Sequence, residues 1–326
     1  MMNSKNILLK YKKTFIALLL IVLTFVVGEL IMVGVKGADP GSFLSVNQVL
    51  ITIKLATFIS LFGLCEMIVI STGGDMDLSV GWIATLAAIF STRIMDGKNQ
   101  NLLIAILIAI GVGAAFGLLN GLLVSYAKLP SLVVTLAMGN IIQGLINAYT
   151  TGIHISGEPS PIVKKLAAKY TGIVPNIVTI LLILCIIVII IIYKTKIGVK
   201  LLSIGSNPNT AYLSGLNIKL IRMIAFIASG AIAGIIGILL VGNAGTAYKD
   251  MGSNYLMPGI VAVVVGGVSV KGGEGNYFAV ILGAIVLQTL TNLFVSLGWG
   301  DAGKWTGYGL ILILMLITYV RNKRSR

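Results

Sequence analysis

The sequence predicts an all-α polytopic membrane protein with about ten transmembrane helices, some broken or re-entrant, and with both termini in the cytoplasm. Of its 326 residues, 57% are hydrophobic and only 10% are charged, whereas a soluble domain carries about 25% charged residues. Apolar runs of about 20 residues, the length that crosses a bilayer core, recur from near residue 14 to near residue 320. We therefore expect residues 1–326 to form a single domain with no separate soluble part.

The candidate spans follow from these apolar runs. They cover 14–35, 47–70, 80–95, 101–126, 130–150, 173–193, 222–243, 255–270, 277–297 and 304–320. Ten spans place both termini on one side, and Lys and Arg cluster at the N-terminus, at 194–200 and after residue 320. Because short cytoplasmic segments are enriched in Lys and Arg, we expect this side to be the cytoplasmic face of an inner membrane. Lysines at 164–169 then fall outside, which is a mild violation.

Composition also excludes several classes of protein. The net charge of +14 is spread over chain ends and short loops, so we expect no nucleic-acid partner. The first apolar run is longer than the core of a signal peptide, and we interpret it as a retained span. Cys65 and Cys185 lie inside spans, and the single histidine, His154, lies in a loop. Neither a disulfide framework nor a His-rich metal site is available, and no cofactor is expected.

Two glycine-rich polar segments interrupt the apolar pattern. They are Ser71–Gly81, beside the short third span, and Gly266–Asn276, after the short eighth span. Paired interrupted segments are a sequence sign of a transport site, since irregular backbone at membrane depth must be buried or line a cavity. A glycine turn at the membrane surface is the alternative.

Glycines spaced by four residues predict close helix packing. Gly113, Gly117 and Gly121 form one such series, and Gly230 and Gly234 form another. Small residues at this spacing let helix backbones approach. We favour packing within the chain over dimerisation through these glycines.

Polar residues in or near the spans are candidates for the translocation path. Asp75 and Asp77 lie in the first glycine-rich segment, where acidic groups are costly and usually functional. Their alternatives are a metal site, for which further ligands are lacking, and capping of the next helix. Glu66 should pair, with Lys54 or Arg93, or stay protonated. The full set of path candidates is Asp75, Asp77, Asn120, Thr135, Asn140 and Asn292, although buried asparagines also simply join helices.

The longest cytoplasmic segment, 194–221, contains a short helix with clear end signals. Asn207 is a good N-cap, Pro208 suits the first helical position, and Gly215 can end the helix in the left-handed conformation. Such a helix, carrying Ala211, Tyr212 and Leu213, has the form needed to dock into a partner. A surface helix resting on the bilayer is the alternative.

A stretch near the C-terminus imitates a nucleotide-binding loop. Gly298 to Lys304 resembles the start of that motif, but Trp305 occupies the position of the Ser or Thr that binds Mg²⁺. We infer that the chain hydrolyses no ATP and is not an enzyme, so energy comes from another chain or a gradient.

From about Val49 to Tyr319, the chain resembles the permease subunits of bacterial ABC importers for sugars, the family that includes ribose, xylose, galactose and autoinducer-2 permeases. The resemblance rests on ordered blocks that lie at 74–81, 120–124, 129–130, 135–136, 205–217, 262–269 and 272–273. One departure stands out, because Asp75 occupies the place where these permeases usually have the second glycine of a Gly-Gly-Ile-Asp-Leu-Ser motif.

The resemblance implies a set of partners and roles. The helix at Asn207–Gly215 would be the coupling helix that inserts into a cytoplasmic ABC ATPase subunit, with Gly205, Asn207, Pro208, Ala211, Tyr212, Leu213 and Gly215 as coupling residues. An extracytoplasmic substrate-binding protein would deliver the ligand, and a second permease copy or paralogue would complete the path. The expected cargo is a monosaccharide, with a nucleoside as the runner-up.

Two other classes compete with the importer. A gradient-driven secondary transporter should carry more paired intramembrane charges than Glu66, Asp75 and Asp77. A membrane transferase acting on lipid or prenyl phosphates should carry a second acidic cluster and basic phosphate ligands.

Overall fold

The computed structural model describes residues 18–19, 21–34, 37, 39, 41, 43–151, 157–310 and 313. The described chain is mostly helical, as the sequence predicts. The α-helices of the described residues are α1 (Ile21–Gly34), α2 (Val46–Ile70), α3 (Val80–Met95), α4 (Leu102–Ser125), α5 (Ser131–Thr150), α6 (Pro161–Ala167), α7 (Asn176–Lys194), α8 (Lys196–Ser206), α9 (Pro208–Leu213), α10 (Ile218–Ala244), α11 (Ser253–Val265), α12 (Tyr277–Ser296) and α13 (300–310). A 3₁₀ turn at Asn99–Asn101 precedes α4. Strands β1 (Tyr170–Thr171) and β2 (Val174–Pro175) pair antiparallel, with Tyr170 opposite Pro175.

Six of the described helices are long and apolar enough to cross a membrane, namely α2, α4 with its preceding turn, α5, α7, α10 and α12. Three shorter apolar helices, α1, α3 and α11, are also present. The chain is therefore an all-α polytopic membrane protein. The count of ten spans and the cytoplasmic termini stay predictions, and His154 and most of the last predicted span lie outside the described residues.

The chain divides into two compact units. The smaller unit comprises 1–63, 257–268 and 276–326, and the larger comprises 64–256 and 269–275, so the division falls within α2. In the smaller unit, Asn292 of α12 donates a hydrogen bond to the Thr52 hydroxyl of α2 over 2.7 Å. Asn292 also accepts one from Gln288 over 2.8 Å. This asparagine joins two helices, in line with the helix-joining alternative.

In the larger unit, α10 packs along α4 and α3. A methyl group at Gly113 would overlap the carbonyl oxygen of Gly230, and one at Gly234 would overlap that of Ala109. Because only glycine leaves room for such an approach, the two glycine series pack against each other within the chain. The prediction of intrachain packing is confirmed.

Both glycine-rich segments interrupt the helical structure, as predicted. α2 ends at Ile70 and α3 begins at Val80, while α11 ends at Val265 and α12 begins at Tyr277. Gly73 and Gly74 have φ values of 144° and 86°, and Gly272 and Gly273 have 86° and 78°. These conformations are strained for residues with a Cβ atom, so glycine is what lets both helices stop at these places.

Candidate functional site

The buried centre of the site is a hydrogen-bonded cluster around the first glycine-rich segment. Asp77 Oδ1 accepts from the Ser79 backbone N–H over 3.0 Å and from Asn120 Nδ2 over 3.4 Å. Asn120 Nδ2 also donates to Ser79 Oγ over 2.8 Å. The three side chains are fully buried, so α4 holds the segment through Asn120. Ser79 is the N-cap residue of α3, and Asp77 supports that cap from two residues before it.

Helix α5 holds the same segment from another side. The Thr135 hydroxyl accepts a hydrogen bond from the Leu78 backbone N–H over 3.0 Å and donates to the Ser131 carbonyl over 2.8 Å. Four path candidates, Asp75, Asp77, Asn120 and Thr135, therefore gather at 75–79. Of the other two, Asn140 is exposed on α5, and Asn292 belongs to the smaller unit, where it contacts Thr52.

Glu66 has a partner that the sequence did not indicate. Its Oε2 atom accepts a hydrogen bond from the backbone N–H of Asp77 over 3.2 Å, while Arg93 donates instead to the Tyr149 hydroxyl. Of the alternatives for Glu66, pairing with Arg93 is therefore wrong. A backbone donor in an irregular segment leaves no sequence pattern, which is why the contact was missed.

Several buried acceptor atoms in this cluster have no hydrogen-bond partner among the described residues. They are Glu66 Oε1, Asp77 Oδ2 and Asn120 Oδ1. No group of three or more His, Cys, Asp or Glu side chains that could hold a metal ion occurs in the described part of the chain. The cluster thus offers hydrogen-bond acceptors in the absence of a metal-ligand set.

Asp75 forms an ion pair with Arg222 of α10, with 2.7 Å between the Oδ2 and NH2 atoms. The Asp75 side chain is 11% exposed and the Arg222 side chain 30% exposed. Arg222 also lies against Gly73, where a Cβ atom would stand 3.2 Å from NH2. Asp75, the residue that departs from the permease motif, is therefore paired with an arginine of α10, the helix that follows α9.

The predicted short helix is present as α9. The Asn207 side chain accepts from the Thr210 backbone N–H over 3.1 Å, Pro208 is the first helical residue, and Gly215 has φ of 79°. All three end signals are confirmed. The prediction missed α8, which precedes α9 directly. Leu213 is 85% exposed and Tyr212 is 71% exposed, but Ala211 is only 4% exposed.

The end of α8 touches both glycine-rich segments. A methyl group at Gly205 would overlap the Ser71 carbonyl oxygen and the Gly273 backbone nitrogen. Gly273 N–H in turn donates to that Ser71 oxygen over 3.1 Å, and a Cβ atom at Gly74 would stand 2.5 Å from the Val270 oxygen. Gly205, two residues before the N-cap of α9, therefore packs against both glycine-rich segments.

A groove of about 1070 Å³ lies beside α9. Its wall includes the turn between α4 and α5, Tyr212 and Leu213 at the end of α9, the residues that follow α9, and the start of α10. The charged residues in the wall are Asp75, Lys128, Lys219 and Arg222.

Comparison with known proteins decides the family. Residues 48–319 match the family described as branched-chain amino acid transport system / permease component. The chain belongs to this family of permeases. It is a transport subunit and not an enzyme, as predicted, and it is a multi-pass protein of the bacterial inner membrane.

The permease is similar to curated relatives over most of its length. It is 28% identical to the D-allose transport system permease protein AlsC of Escherichia coli K12, over 82% of each chain. It is 26% identical to the ribose import permease protein RbsC of the same strain, over 91% of this chain and 92% of the relative. It is 29% identical to the autoinducer 2 import system permease protein LsrC of Photorhabdus laumondii, over 90% and 88%. No solved structure matches. The resemblance found in the sequence is confirmed.

Proposed function

We propose that this permease forms the translocation path for a monosaccharide in an ATP-driven importer. Permease components of such importers work with an ATPase and a substrate-binding protein. The observation that carries the mechanism is the contact of Gly205 with both glycine-rich segments, because it joins the α9 region to the interrupted helices. Relatives named for allose and ribose transport support the sugar assignment.

In this proposal, α9 is the coupling helix and the ATPase binds its exposed face. Tyr212 and Leu213 supply that face, since both are largely solvent-exposed although they are apolar. Exposed aromatic and aliphatic side chains on a capped helix are suited to fill a cleft in a partner. Gly205, Asn207, Pro208, Ala211 and Gly215 position the helix, whereas Tyr212 and Leu213 present its large exposed apolar side chains to the ATPase.

Movement of α9 changes the path through the contacts on either side of α9, at Gly205 and at Arg222. The end of α8 bears on Ser71 and Gly273, and Arg222 at the start of α10 holds Asp75. When the ATPase draws α9 aside, both contacts act on the first glycine-rich segment. Asp77, Asn120 and Thr135 are buried in this conformation, so they reach a sugar hydroxyl only when that segment moves.

The proposed topology retains ten spans with both termini in the cytoplasm and residues 1–326 as one domain. A second permease, either a copy or a paralogue, supplies the other half of the path. Exposed apolar faces on α4, α5 and α7 leave surface for lipid and for that second subunit.

The decisive test uses the full permease reconstituted with its ATPase and binding protein. Leu213→Ala with Tyr212→Ala should abolish co-purification of the ATPase and the ATP-driven uptake of labelled monosaccharide. Ile197→Ala is the matched control, since Ile197 is 67% exposed on α8 and should leave both readouts unchanged. Uptake that persists without any ATPase would overturn the proposal in favour of a gradient-driven carrier.

A further inference from the structure

The groove beside α9 lies at the end of three membrane-spanning helices. α4 ends at Ser125, α5 begins at Ser131 and α10 begins at Ile218, and residues at or next to all three ends line the groove. The ends of spanning helices lie at the membrane surface. The groove therefore opens at the level of lipid headgroups, whichever side of the membrane that is.

Positive charge predominates in the groove. Its charged residues are Lys128, Lys219 and Arg222 against Asp75, and Asp75 is engaged by Arg222. Neither lysine has a carboxylate within ion-pair distance in the described part of the chain, although Lys219 Nζ stands 5.7 Å from the centre of the Tyr126 ring. Like charges in a concave wall raise the local potential and attract an anion.

Two buried polar groups in the wall lack partners. Ser125 is 5% exposed, and its Oγ atom makes no hydrogen bond among the described residues. The Arg222 Nε atom is also buried and makes no hydrogen bond among the described residues. Leaving such a group unsatisfied is unfavourable, so a ligand that accepts hydrogen bonds would be stabilised here. Both groups can donate, which selects a ligand with anionic oxygens.

The rim of the groove continues onto the apolar surfaces of α4 and α5. Leu122 and Leu129 are 41% and 46% exposed, and Val133 and Leu136 are 64% and 55% exposed. Tyr126, at the end of α4, is 46% exposed and belongs to the residue type that favours the headgroup region. A free anion would gain nothing from this apolar rim, whereas a lipid would lay its acyl chains along it.

We infer that this groove binds the phosphate headgroup of an anionic phospholipid, with Lys128 and Lys219 as its main charges and Ser125 and Arg222 as hydrogen-bond donors. Basic pockets between membrane helices bind such headgroups. A bound headgroup would bridge the α4–α5 turn and the start of α10, and would lie directly beside the coupling segment. The inference holds whatever solute the permease carries.

The test is lipid binding to the full-length purified permease, measured by native mass spectrometry with phosphatidylglycerol and phosphatidylcholine. The wild type should bind phosphatidylglycerol in preference, and Lys128→Gln with Lys219→Gln should weaken that binding about 30-fold. Lys165→Gln with Lys169→Gln makes the same charge change at exposed lysines elsewhere and should have no effect. Lys128→Arg with Lys219→Arg should restore binding, which shows that charge and not loss of folding is responsible.

Three results would overturn the inference. Equal phosphatidylglycerol binding by the wild type and the Lys→Gln pair would exclude the groove as the site. Inorganic phosphate that binds the wild type as tightly as the lipid, and is lost in the same variant, would assign the groove to a free anion. If the Lys→Gln pair kept its lipid binding but lost ATPase binding, the groove would be a site of protein contact. Ser125→Ala should weaken lipid binding a few-fold, and no change would deny the buried hydroxyl a role.

Discussion

Arg222 and Asp75 form a partly buried ion pair, 2.7 Å between their NH2 and Oδ2 atoms, that ties the start of α10 to the first glycine-rich segment. Asp75 is the residue that departs from the permease motif, and the pair gives it a partner. In the sequence Arg222 follows α9, and Gly205 precedes it. Both ends of the segment that carries α9 are therefore attached to the same turn.

The ion pair should contribute measurably to stability. A double-mutant cycle with Asp75→Asn and Arg222→Gln should give a coupling energy of about 1–2 kcal/mol, between values for exposed and buried pairs. Thermal unfolding of the purified permease in detergent measures it. The Lys164–Glu158 pair, whose side chains are 38% and 69% exposed, is the control and should give about 0.5 kcal/mol or less. Equal coupling energies in the two cycles would contradict the structure.

The position of Gly205 should tolerate no side chain. Gly205→Ala places a methyl group against backbone atoms of Ser71 and Gly273, which cannot rotate away, so we expect a loss of about 1–3 kcal/mol. Coupled ATPase activity should fall further than stability alone explains. Gly144→Ala in α5 is the control, because a Cβ atom at Gly144 would meet nothing within 4 Å. An unaffected Gly205→Ala permease would show that α8 does not bear on these segments.

The close packing of α4 on α10 predicts opposite effects of alanine at two glycines of α4. Gly113→Ala should destabilise the permease by about 1–3 kcal/mol because the methyl overlaps the Gly230 carbonyl oxygen. Gly111→Ala, two residues earlier, meets open space and should be neutral or stabilising by up to about 1 kcal/mol. The survival of monomeric, folded protein after heating in detergent ranks the two. The reverse order would mean that Gly113 faces lipid.

Local signals in the sequence predicted local structure well. The ends of α9 follow from Asn207, Pro208 and Gly215, whose conformational preferences act within a few residues. The start of α3 at Val80 was likewise predicted, since a polar glycine-rich segment precedes an apolar run. By contrast α8 was missed. It is only eleven residues long and carries Lys196 and Lys200, so no long apolar run marks it.

Contacts between distant residues left no such signal. Polarity within a span indicated Asn120 and Asn140 equally, yet Asn120 is fully buried against Ser79 while Asn140 is exposed. Which face of a helix is buried depends on neighbours that a single sequence does not specify. The same holds for Arg222, whose partner Asp75 is far away in the chain, and for Glu66, whose partner is a backbone N–H group.

The two asparagines therefore separate structural from transport roles. Asn120→Leu removes the donor to Ser79 Oγ and Asp77 Oδ1. It should lower the stability of the permease by about 1–3 kcal/mol and should also lower uptake. Asn140→Leu removes no hydrogen bond among the described residues and should leave thermal stability unchanged. Uptake of labelled monosaccharide in proteoliposomes, normalised to folded protein, then tests the path. If Asn140 lines it, uptake falls at constant stability, whereas unchanged uptake removes Asn140 from the path and leaves the cluster at 75–79 as its polar part.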